Sequence, residues 1–143
     1  MTHPRAADVT VGNAGIDGAG ITRGWFVGHF ISPSSSVRCT EAVEVKWGVH
    51  AAGEARAQMA MGTAATTLSI LVLGRFRVSF SDREVCLARP GDYVLFPPGV
   101  LHGWVAETDS IVITVRWPSK SGDAVESSAE STAIASSFIV DRG

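Results

Sequence analysis

At 143 residues, 45% of them hydrophobic and 18% charged, the chain is long enough for one domain with a sizeable core and too apolar to be mainly disordered. A formal charge of -2 gives no reason to expect a nucleic acid or an anionic membrane as partner. Cys39 and Cys86 form no metal-spaced cluster and no disulfide framework, which favours two idle thiols in a reducing compartment over a single bridge.

The first 23 residues are rich in glycine, alanine and small polar side chains and have no periodicity, so residues 1–23 read as a flexible N-terminal arm. No apolar run there suits a signal segment, and the longest, Leu68 to Leu73, is broken by Ser69 and far short of the ~20 residues of a spanning helix. The expectation is a soluble cytoplasmic protein. Trp25 to Ile31 alternates with apolar bulk on both faces, as in a strand buried on both sides at a subunit contact.

Glu41 to His50 gives the cleanest alternation, with Val43, Val45, Trp47 and Val49 on one face and Glu44, Lys46 and His50 on the other. Unpaired charges are rarely buried, so the favoured reading turns Glu44, Lys46 and His50 to solvent, while a polar ligand cavity would turn them inward. Residues 51–65 read as a loop or a short crossing strand. Thr66 to Leu73 is a strand ending at Gly74, and Arg75 to Phe80 alternates with Phe76, Val78 and Phe80 inward. Ser81-Asp82-Arg83 is a hairpin turn, with Glu84 to Ala88 returning. Ser110 to Trp117 closes the series, with Val112, Thr114 and Arg116 sharing one face. No segment before Pro118 has a helical period, so residues 24–118 read as one antiparallel all-β barrel or sandwich. Residues 119–143 read as a Ser/Ala-rich tail whose Phe138-Ile139-Val140 cluster suits a sheet edge or a neighbouring subunit.

Between the last strands lies the most informative stretch, Gly91 to Trp104. Pro97 and Pro98 fix φ and remove two amide donors, and Gly99 tolerates a positive φ, which makes a rigid corner delivering His102 to the next strand. This stretch resembles the second motif of the cupin superfamily, G-x5-P-x-G-x2-H-x3-N, with Gly91, Pro97, Gly99 and His102 in place and Ala106 where the asparagine belongs. The resemblance covers roughly residues 41–117 and implies a single jelly-roll β-barrel of the cupin type. It leaves function open, because one barrel hosts enzymes, sensors and storage proteins.

The first cupin motif, G-x5-H-x-H-x3,4-E-x6-G, is degenerate. Counting back from Gly74 places its glutamate at Thr67 and its histidines near Ala60 to Thr63, and counting forward from Gly53 places them at Met59 and Met61. One imidazole without partners does not hold a divalent ion with useful affinity, so no metal cofactor is expected. The rearranged alternative recruits His102 and His50 with Glu54 or Gln58. Met59 and Met61 would suit Cu(I), but without a cysteine they read as cavity lining.

The candidate catalytic residues are therefore His102, aimed into the barrel, with His50 and the single tyrosine, Tyr93, as proton-transfer or hydrogen-bonding partners. Gln58, Met59, Met61, Trp47 and Trp104 are the candidate substrate-binding residues. His29 reads as structural or interfacial. No nucleophile motif and no phosphate-binding glycine loop is present. The expectation is a small-molecule-binding protein, either a metal-independent isomerase, cyclase or dehydratase, or a non-catalytic ligand sensor. A homodimer is expected from the resemblance and from the doubly apolar strand at Trp25 to Ile31.

Overall fold

The computed structural model describes residues 3–126. Within them the chain forms ten strands: β1 (Trp25–Val27), β2 (Glu44–His50), β3 (Ala55–Gly62), β4 (Thr66–Leu73), β5 (Phe76–Phe80), β6 (Glu84–Leu87), β7 (Tyr93–Phe96), β8 (His102–Ala106), β9 (Ser110–Trp117) and β10 (Ala124–Glu126). They make two antiparallel five-stranded sheets, ordered β1-β2-β9-β4-β7 and β10-β3-β8-β5-β6. This is the expected all-β jelly roll.

Leu71 and Val112 from the first sheet meet Phe76, Val78, Leu87 and Ala106 from the second in a core at one end of the sandwich. Burying an aliphatic or aromatic side chain of this size contributes about 1.5–3 kcal/mol, so this cluster is the main apolar anchor between the sheets. Phe76 and Val78 are inward as the alternation requires.

Local chemistry fixes the corners. The Asp92 carboxylate accepts from the backbone N–H groups of Ala88 (3.0 Å) and Arg89 (2.9 Å), closing the turn into β7. Those two hydrogen bonds, Arg89 first, hold the Asp92 carboxyl below the ordinary range. At the Pro97-Pro98-Gly99 corner, Gly99 has φ 85° and its N–H donates to the Gly62 carbonyl at 2.8 Å, clipping the corner to the end of β3.

Several elements differ from expectation. Residues 51–65 contain an eight-residue strand, β3, because both its neighbours are strands that need a partner for their backbone groups. The strand at Trp25 lasts only three residues, since Gly28 takes φ 154° and its N–H turns to the Arg38 carbonyl. The N-terminal segment carries a short helix, α1 (Ala14–Asp17), capped by the Asn13 side chain accepting from the Ile16 N–H at 3.1 Å. Beyond Pro118, Ala124–Glu126 pairs with β3, while the Phe138-Ile139-Val140 cluster lies outside the described residues. Cys39 and Cys86 are free thiols. Among the described residues, no helix is long and apolar enough to cross a membrane.

Candidate functional site

The first sheet turns its polar face inward. Glu44, Lys46 and His50 on β2 are buried, as are Thr67 and Ser69 on β4 and Ser110 and Arg116 on β9. The favoured solvent orientation of Glu44, Lys46 and His50 is therefore overturned. The rule against burying charge holds only for unpaired charge, and here the partners come from strands distant in sequence.

The pairing centres on Arg116, which is 5% exposed. It donates through Nη1 to the Glu44 carboxylate at 3.1 Å and through Nη2 to Asp123 at 2.7 Å. The Ser119 hydroxyl donates to the other Glu44 oxygen at 2.8 Å and lies 2.7 Å from His29 Nδ1. Asp123 also accepts from the Thr63 hydroxyl and from the N–H groups of Ala64 and Ala65. Burial works against the Asp123 charge, but the Thr63 and Ala64 hydrogen bonds and Arg116 outweigh it, so its carboxyl sits below the ordinary value. A Cβ at Gly62 would come 2.5 Å from Arg116 Nη2 and 2.8 Å from Asp123, so the guanidinium fills space that any side chain there would need.

Beside this network lies a narrow cavity of about 30 Å³, whose wall includes Lys46, Arg56, Thr67, His50, His102 and Trp104. His102 and His50, distant in sequence, share it. His102 Nδ1 is 3.2 Å from the Val100 carbonyl, and its ring lies 4.7 Å from that of Phe96. A carbonyl can only accept, so this bond puts a proton on Nδ1. His50 lies 4.5 Å from the Trp104 ring and 5.5 Å from Phe76, and its Nδ1 is 3.3 Å from Glu54. Trp104 stacks on Phe76 at 5.1 Å. A wider space of about 440 Å³ opens at the mouth, between the N-terminal segment and strands β2 and β3, and shares Lys46, His50, Arg56 and Trp104 with the inner cavity.

The other candidates divide. Met61 lines the inner cavity and Trp47 the mouth. Met59 and Gln58 line neither, because the register irregularity between Arg56 and Ala60 turns that part of β3 away. Tyr93 is 63% exposed on the outer face of β7 and does not join the histidines. Sequence reasoning missed Arg116, Thr67, Ser69 and Asp123. Its available signal was the matching polar periodicity of Glu44-Lys46-His50 and Thr114-Arg116, two strands that pair directly.

The second motif normally helps to hold a divalent ion, and the donor set here does not fit one. Among the described residues, no three His, Cys, Asp or Glu side chains stand close enough to bind a metal. Neither Thr67 nor the positions expected for the missing histidines, near Ala60 to Thr63 by one count and Met59 and Met61 by the other, supply an imidazole or a carboxylate, and two cations, Lys46 and Arg116, reach the cavity wall.

The solved structures agree on the architecture. KdgF from Halomonas sp. matches with a TM-score of 0.51 and 25% identity, over 57% of this chain and 74% of that one. A cupin superfamily protein from Desulfitobacterium hafniense matches with a TM-score of 0.50 and 18% identity, over 55% of this chain and 69% of that one. The fold is that of the cupin superfamily. A double-stranded β-helix protein from Klebsiella pneumoniae extends the match to 62% of this chain and 77% of its own, with a TM-score of 0.55 and 16% identity. No family model and no curated protein matches this sequence.

Proposed function

We propose that this cupin binds a small organic molecule between its sheets, and that His102 transfers a proton in a metal-independent isomerisation, cyclisation or dehydration. The observation that carries the reading is the convergence of His50 and His102 on one cavity walled by Phe76, Phe96 and Trp104. A neutral imidazole with Nδ1 engaged and Nε2 basic is a competent general base near neutral pH. The paired charges around it are fixed before any ligand arrives, which favours positioning over rearrangement.

The test is a thermal-shift screen of neutral and acidic metabolites, followed by mass spectrometry of whatever stabilises the protein. Recovery of an altered molecule is expected, and His102→Ala should slow that conversion by roughly 10²–10⁴-fold while the molecule still binds. Full turnover by His102→Ala would remove the proton-transfer role. A stabilising molecule always recovered unchanged would support the second reading, a sensory cupin, which the small inner volume favours.

We also propose a homodimer across the outer face of the first sheet. That face presents Val49 (65% exposed), Tyr93 (63%), Leu95 (52%) and Trp117 (40%), which form an apolar surface on paired strands. Light scattering is expected to give twice the chain mass, and Leu95→Arg to return it to one. A monomeric mass for the unaltered protein would count against the dimer.

A further inference from the structure

Three hydroxyls lie side by side along one wall of the inner cavity. Thr67 and Ser69 stand two residues apart on the inward face of β4, and Thr114 lies on β9 directly opposite Ser69. β4 is paired on both sides, with Phe96 of β7 and Arg116 of β9 opposite Thr67, so the ladder fixes where these side chains point. A threonine is also stiff at its first side-chain torsion, which holds its hydroxyl to few directions.

The hydrogen bonds of this wall do not close within the protein. Thr67 is 6% exposed, and among the described residues its hydroxyl has no hydrogen-bond partner. Its oxygen is not sealed away either: it reaches open space, and the space that Thr67 lines is the inner cavity. Ser69 Oγ and Thr114 Oγ1 are 3.1 Å apart, and in such a pair one hydroxyl donates and the other accepts. The accepting hydroxyl has no acceptor for its own proton among the described residues. Buried polar groups are ordinarily hydrogen-bonded, and departures from that rule concentrate at functional sites.

The volume limits what enters. A water-sized group needs about 10–15 Å³, so the cavity of about 30 Å³ takes roughly two of them. Residues two apart on a strand are separated by roughly 6.6 Å, a span that two oxygens on adjacent carbons bridge with one hydrogen bond at each end. Ligand hydroxyls match wall hydroxyls, since each both donates and accepts, and an uncharged group is less costly to bury than a carboxylate. We infer that the cavity receives the uncharged diol end of a polyol, with Thr67 at one oxygen and the Ser69–Thr114 pair at the other. The inference rests on the cavity reading above and adds the chemical class of the ligand.

The probes are ethane-1,2-diol, propan-1-ol and acetate, molecules of similar size, titrated into the full-length protein and followed by the amide NMR shifts of β4 and β9. The diol should bind about 3–10-fold tighter than propan-1-ol, the range of one hydrogen bond, and tighter than acetate. Thr67→Val, which removes the hydroxyl and keeps the shape, should abolish that preference. Ser69→Ala should narrow it and Thr67→Ser should keep it, while Ser79→Ala, whose hydroxyl bonds Glu84 on the other sheet, should leave it unchanged. Without any probe, Thr67→Val should leave the thermal midpoint unchanged or raise it, because no partner in the protein is lost. A midpoint lowered by more than about 4 °C would assign the hydroxyl to the fold and overturn the inference. Equal binding of the diol and propan-1-ol, a preference for acetate, or a diol preference that survives Thr67→Val overturns the diol assignment and leaves the cavity reading standing. If no probe binds while another metabolite stabilises the protein, the diol assignment alone again falls. If no small molecule of any kind binds, the cavity reading falls and the inference goes with it.

Discussion

Replacing Arg116 by methionine should lower the unfolding free energy by about 3–5 kcal/mol, because it leaves two buried carboxylates without their cation. Methionine keeps most of the stem volume, so the loss reports charge rather than packing. Glu44 is 2% exposed and Asp123 5%, which gives water little access to compensate. The network joins β2, β9, the turn between β3 and β4 and the segment leading into β10, so its loss is felt across both sheets. Urea unfolding at pH 7 measures the effect, and a loss below about 1 kcal/mol would mean the network is not a stabilising centre. Adding Glu44→Gln and Asp123→Asn to Arg116→Met should restore part of the stability, since the orphaned charges are then gone.

The sign of the pH dependence follows from the depressed Asp123 carboxyl. The unfolded chain takes up this proton first as pH falls. The Asp123 contribution is therefore complete above about pH 4 and is lost as pH falls through the lower folded value. In Arg116→Met this acid limb should shrink, because one source of the depression has been removed.

The second large effect is expected at Gly74. It takes φ 98°, and a Cβ there would collide with the Asp109 carbonyl and the Ser110 hydroxyl and come 2.7 Å from Ser110 Cα. These are backbone atoms and a fixed side chain: Ser110 is 1% exposed, and its hydroxyl donates to the Thr108 carbonyl at 2.8 Å and accepts from the Arg75 N–H at 3.2 Å. Gly74→Ala should cost roughly 2–4 kcal/mol, combining the left-handed penalty of about 1–2 kcal/mol with the overpacking. Thermal unfolding checks this, and an unchanged midpoint would show that the β4–β5 turn relaxes freely.

Gly74 also shows why the fold was legible when the site was not. Of the glycines and prolines that shape turns, Gly91, Pro97 and Gly99 stand at the spacing of the second cupin motif and Gly74 ends a strand, and alternation located most strands. These signals are local. The direction of the polar face of β2 is a tertiary property, decided by Arg116 and Asp123 arriving from more than 70 residues away. Position in the second motif was enough to locate His102. Tyr93 was legible as a strand residue, but the sequence did not say which face it occupies, and its face is the outer one. Asp123 lay in a stretch whose composition resembled a tail, and only its hydrogen bonds to Thr63, Ala64 and Ala65 reveal that it belongs to the interior.

The inverted faces of the first sheet also shape how stability responds to temperature. Exposing apolar surface on unfolding raises heat capacity, whereas exposing polar groups lowers it. This chain hides Glu44, Lys46, Thr67, Ser69, Ser110, Arg116 and Asp123 and leaves Val49, Tyr93 and Leu95 in contact with water. Folding of a single chain is therefore expected to carry a smaller heat-capacity change than a sheet with its polar face outward would give, which scanning calorimetry measures. If the proposed homodimer covers the outer face, the remaining heat capacity belongs to that association, and the thermal signatures of folding and of pairing would then be divided between the two sides of one sheet.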